Sequence, residues 1–247
     1  MVLATTAPGR PPRSDTVLLV HVPADRADVR AVSMPRDLLV PIPACRTEGG
    51  KTLPARVGMI NSVYPAGGIR CAVKTVEALT DVRIDQTVVI DSAGFRSVVD
   101  AVGGVWVTLP RAVADQESGL RLPAGRTRLN GEQALAYVRA RHGFGDGSDM
   151  SRVRRQRQFM AALAREASSR MAEDPVRFAK FLATLAGAVE TVPRMGVAEL
   201  RTLARGFLKR GSIEFHTVPA RPAKRDPNRL EWDPAEAKQT FGAFRTP

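Results

Sequence analysis

The chain has 247 residues, of which 44% are apolar and 25% charged, a composition that excludes a disordered chain and fits one large α/β domain or two small ones. No run approaches the roughly 18 apolar residues that a membrane-spanning helix requires. The formal net charge of +12 favours polyanionic partners, such as nucleic acid, anionic lipid or a phosphorylated polymer, without choosing among them.

The first part of the chain predicts strands followed by loops and a helix. Two β-branched apolar runs, 16–22 and 29–34, each end at a proline, and the short turn between them predicts a hairpin. Residues 45–68 contain the glycine pairs of a loop-rich region. An apolar stripe at helical spacing follows over 71–79, and residues 86–90 predict a third strand.

The rest of the chain is mostly helical. Ser92 and Asn130 are candidate N-caps, and Gly103 with Gly104 predicts a helix end between them. The predicted helices are 92–102, 132–141, 149 to about 170, 175–189, 197–209 and a short final one from 234, with strands at 105–109 and 213–218.

This alternation predicts an α/β fold, a three-layer α/β/α sandwich in which a central mixed sheet lies between helices. The early hairpin makes the sheet mixed and not purely parallel. We expect residues 13–247 to form a single domain, with 1–12 as a disordered or incomplete N-terminus.

Arginines and aspartates recur where the predicted elements begin and end. Guanidinium groups bind phosphate oxygens in bidentate fashion, and carboxylates hold hard cations such as Mg²⁺. A solvated basic face is the alternative for any one arginine, so the hypothesis of a phosphate-and-metal site depends on the recurrence. The residues concerned are Arg13, Asp15, Arg36, Asp37, Arg139, Arg141, Asp149, Arg152 and Gln156.

The two cysteines, Cys45 and Cys71, flank the loop-rich region. Their spacing alone leaves open both a disulfide, which requires an oxidising compartment, and two separate thiols. Two cysteines with no histidine nearby are too few for a structural zinc site.

Familiar catalytic motifs are absent from the sequence: there is no Walker loop, no GxGxxG after a strand, no GxSxG and no HExxH. The ordered motifs that are present closely resemble the LytR-CpsA-Psr family of cell-wall phosphotransferases. They are RSDT at 13–16, SMPRD at 33–37, VDAVGGV at 99–105, LNGEQAL at 129–135, YVRAR at 137–141, and the closing group Asp149, Arg152, Arg155 and Gln156.

The resemblance implies an Mg²⁺-dependent enzyme at the outer face of the bacterial cytoplasmic membrane. Such an enzyme transfers a glycopolymer (teichoic acid, capsule or arabinogalactan) from a polyprenyl-pyrophosphate carrier to peptidoglycan through a phosphodiester. The implied partners are the lipid-linked glycopolymer, peptidoglycan and the membrane surface, and no nucleic acid. The prenyl chain is expected in an apolar channel beside the sheet.

The resemblance also assigns roles to single residues. The implied pyrophosphate-binding residues are Arg13, Arg36, Arg139, Arg141, Arg152 and Gln156. Asp15 is implied as a metal ligand, and Asp15, Arg36 and Asp149 as catalytic residues, Asp149 for metal binding or proton transfer. Thr16, Asp37 and Asn61 match motif positions that are either functional or structural. An extracytoplasmic site favours the Cys45–Cys71 disulfide.

The sequence departs from the family pattern near its beginning, since it has no membrane helix and no acid in residues 1–12. We therefore expect the first strand and a second metal ligand to be missing, in either a clipped or a degenerate relative. Two other functions compete with the transferase: a non-catalytic polyprenyl-pyrophosphate binder and a basic nucleic-acid-binding regulator.

Overall fold

The structure of the chain, a computed structural model, describes residues 1–5, 14–23, 29–140, 143–144, 149–208, 213–224, 226–242 and 244. The chain divides into two compact units. The first unit comprises Met1–Asp91, Glu190–Arg194 and Glu214–Pro247, and the second comprises Ser92–Val189 and Met195–Ile213. The single-domain assignment stays a prediction.

All predicted helices are present, most of them within one or two residues of the predicted bounds. Asn130 forms a capping box with Gln133, and Asp233 accepts hydrogen bonds from the first turn of the last helix, as their positions in the sequence indicated. The helices are α1 Val63–Thr80, α2 Ser92–Ala101, α3 Gly131–Arg139, α4 Asp149–Glu173, α5 Pro175–Ala188, α6 Val197–Leu208 and α7 Pro234–Gly242.

Helix α1 begins eight residues earlier than the apolar stripe predicted. The glycine pair that indicated a loop lies inside it, and Gly68 forms a kink with φ of 71°. At Gly67 a Cβ atom would lie 2.3 Å from the sulfur of Cys71, so only glycine fits there. The glycines therefore adapt the helix to close packing and do not end it.

The first unit is built on a six-stranded mixed sheet, which confirms the predicted mixed α/β fold. Its strand order is β13-β8-β1-β2-β3-β14, with β1 parallel to β8 and antiparallel to β2, and with β2–β3 as the predicted hairpin. The strands of this sheet are β1 Val2–Thr5, β2 Ser14–His21, β3 Val29–Met34, β8 Thr87–Ile90, β13 Val189–Val192 and β14 Ile213–Thr217.

The expectation that the first strand is missing was wrong. Strand β1 lies between β8 and β2, with Val2 opposite both Leu18 and Val88. Four residues carry too little periodicity to predict a strand, but hydrogen bonds on both edges stabilise it in the sheet.

Ten further strands lie in the described part of the chain. Of these only β9 was predicted, because most are too short to show a pattern and Pro41 interrupts the pattern of β4. They form a sheet of order β15-β16-β4-β7 and the antiparallel pairs β5–β6, β10–β11 and β9–β12. Their bounds are β4 Leu38–Ile42, β5 Cys45–Arg46, β6 Thr52–Leu53, β7 Arg56–Met59, β9 Val105–Leu109, β10 Val113–Asp115, β11 Leu120–Leu122, β12 Gly125–Leu129, β15 Ala220–Pro222 and β16 Leu230–Trp232.

Each unit has its own apolar core. In the first, Val17 and Leu19 of β2 and Val32 of β3 pack with Val76 of α1. In the second, Val105 of β9 and Phe159 of α4 belong to one buried cluster with strands β10–β12. The strand ends and helix ends that carry the candidate residues are therefore anchored in buried structure within their own unit.

The disulfide favoured by the resemblance is present. Cys45 of β5 and Cys71 of α1 are bonded, with a Cα–Cα distance of 5.6 Å, and both are buried. The disulfide fastens the strand pair β5–β6 to α1, in the region that the sequence indicated as loops.

Replacing both cysteines by serine is expected to lower the free energy of unfolding by about 3 kcal/mol, because the bond closes a loop with a sequence separation of 26. Urea unfolding of the oxidised protein and the double-serine variant measures the difference. A reductant should shift only the protein that has cysteines. Two free thiols per chain in a thiol titration of unreduced, denatured protein would contradict the assignment.

Candidate functional site

Arg36 lies just after β3 in the first unit, on a backbone that is held from two sides. Its carbonyl accepts a hydrogen bond from the Asn61 N–H, and the carbonyl of Asp37 accepts one from the Leu230 N–H at the start of β16. The backbone of the motif residues Asp37 and Asn61 therefore helps to fix the chain around this arginine.

The Arg36 side chain is also oriented by its neighbour. Its Nε lies 3.2 Å from Oδ2 of Asp37, and the other carboxylate oxygen lies 3.9 Å from Nη1 of Arg229. The Arg36 side chain is 15% exposed, so most of it is desolvated. Restraint by a carboxylate prepares a guanidinium to bind an anion with little further loss of side-chain entropy.

An apolar pocket lies between β2 and α1 in the same unit. The pocket is small, with a volume of about 10 Å³. This is room for about one water molecule. Ile60 and Ser14 contribute to its wall, and the other lining residues are Val17, Val63, Tyr64, Ala72, Thr75 and Val76. Because nearly all of this lining is apolar, the pocket suits a hydrocarbon group better than a charged one.

Arg139 is the last residue of α3 in the second unit, as the sequence predicted for the helix end. Its Nη2 donates a 2.5 Å hydrogen bond to the hydroxyl of Ser92, the buried first residue of α2. This bond fixes the direction of the guanidinium group, although Arg139 is exposed. A cation at a helix C-terminus is also favoured by the helix dipole.

The carbonyl groups at the end of α3 are satisfied by two neighbouring residues of α4. Arg155 donates from Nε to the carbonyl of Tyr137 at 2.9 Å and from Nη2 to the carbonyl of Ala140. Gln156 donates from Nε2 to the carbonyl of Val138 at 3.1 Å. These groups have no partner within their own helix, so α4 supplies the cap that α3 lacks.

Aromatic rings complete the surroundings of Arg155. Its guanidinium lies 4.2 Å from the ring centroid of Phe144 and 5.7 Å from that of Tyr137, and the side chain is buried. Burial lowers the pKa of Arg155, and the neighbouring Arg152 lowers it further. Arg155 still carries its charge at neutral pH, because the ordinary arginine pKa lies far above neutrality.

Several of the predicted site residues lie outside the described part of the structure. Arg13 and Arg141 are outside the described residues, and so are the side chains of Asp15 in β2 and Asp149 at the start of α4. Arg152 is buried on α4, one turn before Gln156. The pyrophosphate-binding and catalytic roles of all these residues stay predictions.

Sequence reasoning missed the residues that hold the predicted ones in place. Ser92 was predicted only as a cap, Arg155 only as a motif member, and Arg229 not at all. The sequence of the run 152–157 does not indicate which of its arginines are buried in the folded chain. The charge pairing of Arg229 with Asp37 joins positions 192 residues apart and has no local signal.

Among the side chains that the structure describes, no group of three or more His, Cys, Asp or Glu residues could hold a metal ion. Within the described ranges, no helix has the length and apolar character needed to cross a membrane.

At alkaline pH, ionisation of the Tyr137 hydroxyl should lower the stability of the second unit. Burial raises its pKa above the ordinary value of 10.0, although Arg155 opposes the shift. The stabilising contribution is complete below pH 10 and is lost as the pH rises through the raised pKa. We expect Tyr137→Phe to reduce this alkaline loss, measured by urea unfolding between about pH 8 and pH 11.

The first unit provides a control for the Tyr137 experiment. Tyr64, the other tyrosine of the chain, also has a pKa raised by burial. Tyr64→Phe should leave the contribution of Tyr137 intact. An alkaline loss in Tyr137→Phe as large as in the unchanged protein would contradict the prediction.

Two curated bacterial proteins illustrate the sequence similarity. The chain is 35% identical over 166 residues to the polyisoprenyl-teichoic acid–peptidoglycan teichoic acid transferase TagV of Bacillus subtilis strain 168, which covers 65% of this chain and 40% of TagV. It is 32% identical over 237 residues to the probable cell wall biosynthesis protein LcpB of Corynebacterium glutamicum, covering 94% of this chain and 53% of LcpB. The chain thus spans about half the length of these relatives.

The fold is also similar to solved structures of this group of proteins. The crystal structure of B. subtilis TagV matches with a TM-score of 0.78 and 26% identity, covering 100% of this chain and 97% of that one. A LytR-Csp2A-Psr enzyme from Actinomyces oris matches with a TM-score of 0.77 and 25% identity, covering 98% and 88%. The sequence model of the LytR_cpsA_psr family matches residues 7–241. The chain therefore belongs to the LytR-CpsA-Psr family.

Proposed function

We propose that this protein transfers a glycopolymer from a polyprenyl-pyrophosphate carrier to peptidoglycan at the outer face of the cytoplasmic membrane. The observation that carries the proposal is the likeness to TagV in both sequence and fold, since the name of TagV states a transfer from a polyisoprenyl carrier to peptidoglycan. The Cys45–Cys71 disulfide supports an extracytoplasmic location.

We assign the binding of the pyrophosphate mainly to arginines. Arg36 and Arg139 are suited to this role because Asp37 and Ser92 orient their guanidinium groups. We assign the same role to Arg13, Arg141, Arg152 and Gln156 from the family motifs. A pyrophosphate carries several negative charges, so its binding is mainly a matter of positioning and charge neutralisation.

The transfer itself is a substitution at phosphorus. A sugar hydroxyl of peptidoglycan forms a bond to the phosphorus that bears the glycopolymer, and the bond from that phosphorus to the bridging oxygen breaks. The polyprenyl monophosphate leaves with the electron pair. Asp149 is our candidate for the base that takes the hydroxyl proton.

Mg²⁺ is our candidate cofactor, with Asp15 as a ligand. A carboxylate suits this hard cation, which neutralises phosphate charge when bound. Chelation by EDTA should stop transfer, and added Mg²⁺ should restore it.

The apolar pocket between β2 and α1 is our candidate for the entrance of the prenyl site, and β2 and α1 would have to move apart to admit the chain. Its lining favours hydrocarbon over water, at roughly 0.8 kcal/mol for each buried CH₂ group. Binding that depends on this burial should persist in high salt, whereas binding of nucleic acid should weaken steeply with salt.

Native mass spectrometry of the purified protein tests substrate binding by detecting a co-purified polyprenyl phosphate or pyrophosphate. Incubation with Mg²⁺, lipid-linked glycopolymer and peptidoglycan then tests the reaction. Consumption of the lipid-linked polymer with release of polyprenyl phosphate supports the transferase. Retention of the lipid without consumption would leave a non-catalytic binder, and salt-sensitive retention of nucleic acid alone would favour the regulator.

A further inference from the structure

The antiparallel pair of β9 and β12 in the second unit has an exposed outer face. Val105, Val107 and Leu109 point inward and are buried, so the alternate residues of β9 point outward. Across the pair, Trp106 lies opposite Arg128 and Thr108 opposite Arg126. We call Trp106, Thr108, Arg126 and Arg128 the Trp106 face.

The tryptophan of this face remains accessible. Trp106 is 38% exposed, although the guanidinium of Arg126 lies 4.5 Å from its ring centroid and that of Arg128 lies 5.8 Å away. Tryptophan and arginine are enriched among the residues that contribute most to binding energy, so an exposed indole beside two arginines is a candidate binding surface.

The two arginines are exposed and lie on a strand pair without acidic residues. Neither Arg126 nor Arg128 forms an ion pair with any residue that the structure describes. Other exposed arginines of the same unit differ, since Arg96 pairs with Glu132 and Arg177 with Asp174. The face is therefore complementary to an anionic ligand that also offers a flat, partly apolar surface.

We propose that the Trp106 face binds a glycan strand of peptidoglycan, a step that rests on the proposed function because peptidoglycan is the acceptor there. The apolar face of a pyranose ring stacks on the indole ring of Trp106. Carboxylates of the stem peptides that the strand carries bind Arg126 and Arg128 in bidentate fashion. The hydroxyl of Thr108 faces the same ligand and can donate to or accept from a sugar hydroxyl.

Other occupants fit this face less well. A bilayer needs a broad apolar area for insertion, and here one indole is surrounded by threonine and arginine. A polyol-phosphate polymer offers anions but no regular row of rings for the indole. Nucleic acid offers both, but the Cys45–Cys71 disulfide is typical of compartments outside the cytoplasm.

Co-sedimentation of the full-length chain with insoluble peptidoglycan, stripped of attached polymer, tests the proposal. Trp106→Ala and the double change Arg126→Gln with Arg128→Gln should each weaken binding about tenfold. Trp106→Phe, which keeps a stacking ring, should retain part of the affinity. Thermal unfolding of each variant checks that the fold persists.

A matched pair of arginines controls for net charge. Arg83 and Arg177 are 88% and 69% exposed, and Arg83→Gln with Arg177→Gln removes the same two charges elsewhere. This variant should bind peptidoglycan like the unchanged protein. Equal weakening in both double variants, or full binding by Trp106→Ala, would overturn the proposal.

Three further probes separate the occupants. Vesicles of phosphatidylglycerol, purified teichoic acid and duplex DNA should each show no dependence on Trp106. A loss confined to one of these probes would assign the face to that ligand and overturn the proposal. Failure of the proposed function has a different signature, since a protein that consumes no lipid-linked polymer would still bind peptidoglycan through Trp106.

Discussion

Arg36→Ala is expected to abolish the retention of polyprenyl pyrophosphate while the protein remains folded. Loss of a bidentate, charge-assisted contact corresponds to a decrease in affinity of about tenfold to hundredfold. Some loss of stability is expected, because Asp37 is only 18% exposed and would lose its partner at 3.2 Å, although Nη1 of Arg229 remains 3.9 Å from it. Thermal unfolding checks that the variant is folded. Native mass spectrometry and a lipid-binding titration measure the retained lipid.

Two further variants define what Arg36 contributes. Arg36→Lys keeps the charge but loses the fork, so it should restore only part of the affinity. Arg83→Ala removes an exposed arginine, which pairs with Asp85 in the same unit, and should bind lipid like the unchanged protein. Unchanged retention in Arg36→Ala would remove this arginine from the pyrophosphate site.

Arg139 lies in the second unit, and Arg139→Ala should also abolish the retention of polyprenyl pyrophosphate. Ser92→Ala removes only the hydrogen bond that orients Arg139, so it should produce a smaller decrease in affinity. This order, with the alanine at 139 more severe than the alanine at 92, separates a binding residue from a positioning one.

Elements in which a pattern of apolar and polar residues repeats over the whole length were predicted well from the sequence. Strand β9 alternates between buried and exposed residues from end to end, and its bounds were predicted without error. The long helix α4 and the cap at Asn130 were also evident, because caps and periodicity are local signals.

Elements that depend on distant partners could not be predicted in this way. Strand β1 has only four residues and is hydrogen-bonded to β2 on one edge and to β8 on the other. Its partner in β8 is distant in sequence, since Val2 and Val88 are 86 positions apart. Strand β4 contains Pro41 but is held between β7 and β16. Local propensity was overridden in both by hydrogen bonding that only the folded chain provides.

The candidate site divides in the same manner. Motif order identified Arg36, Arg139 and Arg152 because they occur beside recognisable local patterns. The residues that orient them, such as Ser92 and Arg229, are ordinary in their own surroundings, and their roles appear only in the hydrogen bonds and ion pairs of the fold.

Arg155→Met is expected to destabilise the second unit by about 3 kcal/mol, because two buried carbonyls, those of Tyr137 and Ala140, would lose a charged donor. Methionine keeps much of the apolar stem, so the effect reports mainly the lost hydrogen bonds. Since these carbonyls end the helix that carries Arg139, retention of lipid should weaken as well.

The two tryptophans allow the units to be followed separately during urea unfolding, since Trp106 belongs to the second unit and Trp232 to the first. Arg154→Met is the matched control, because it removes the same charge from the neighbouring, exposed position of α4. The fluorescence of Trp106, recorded in a Trp232→Phe background, should change at lower urea in Arg155→Met but not in Arg154→Met. Equal midpoints in the two variants would mean that α3 ends without help from α4, and that Arg155 is only one more cation of a basic helix.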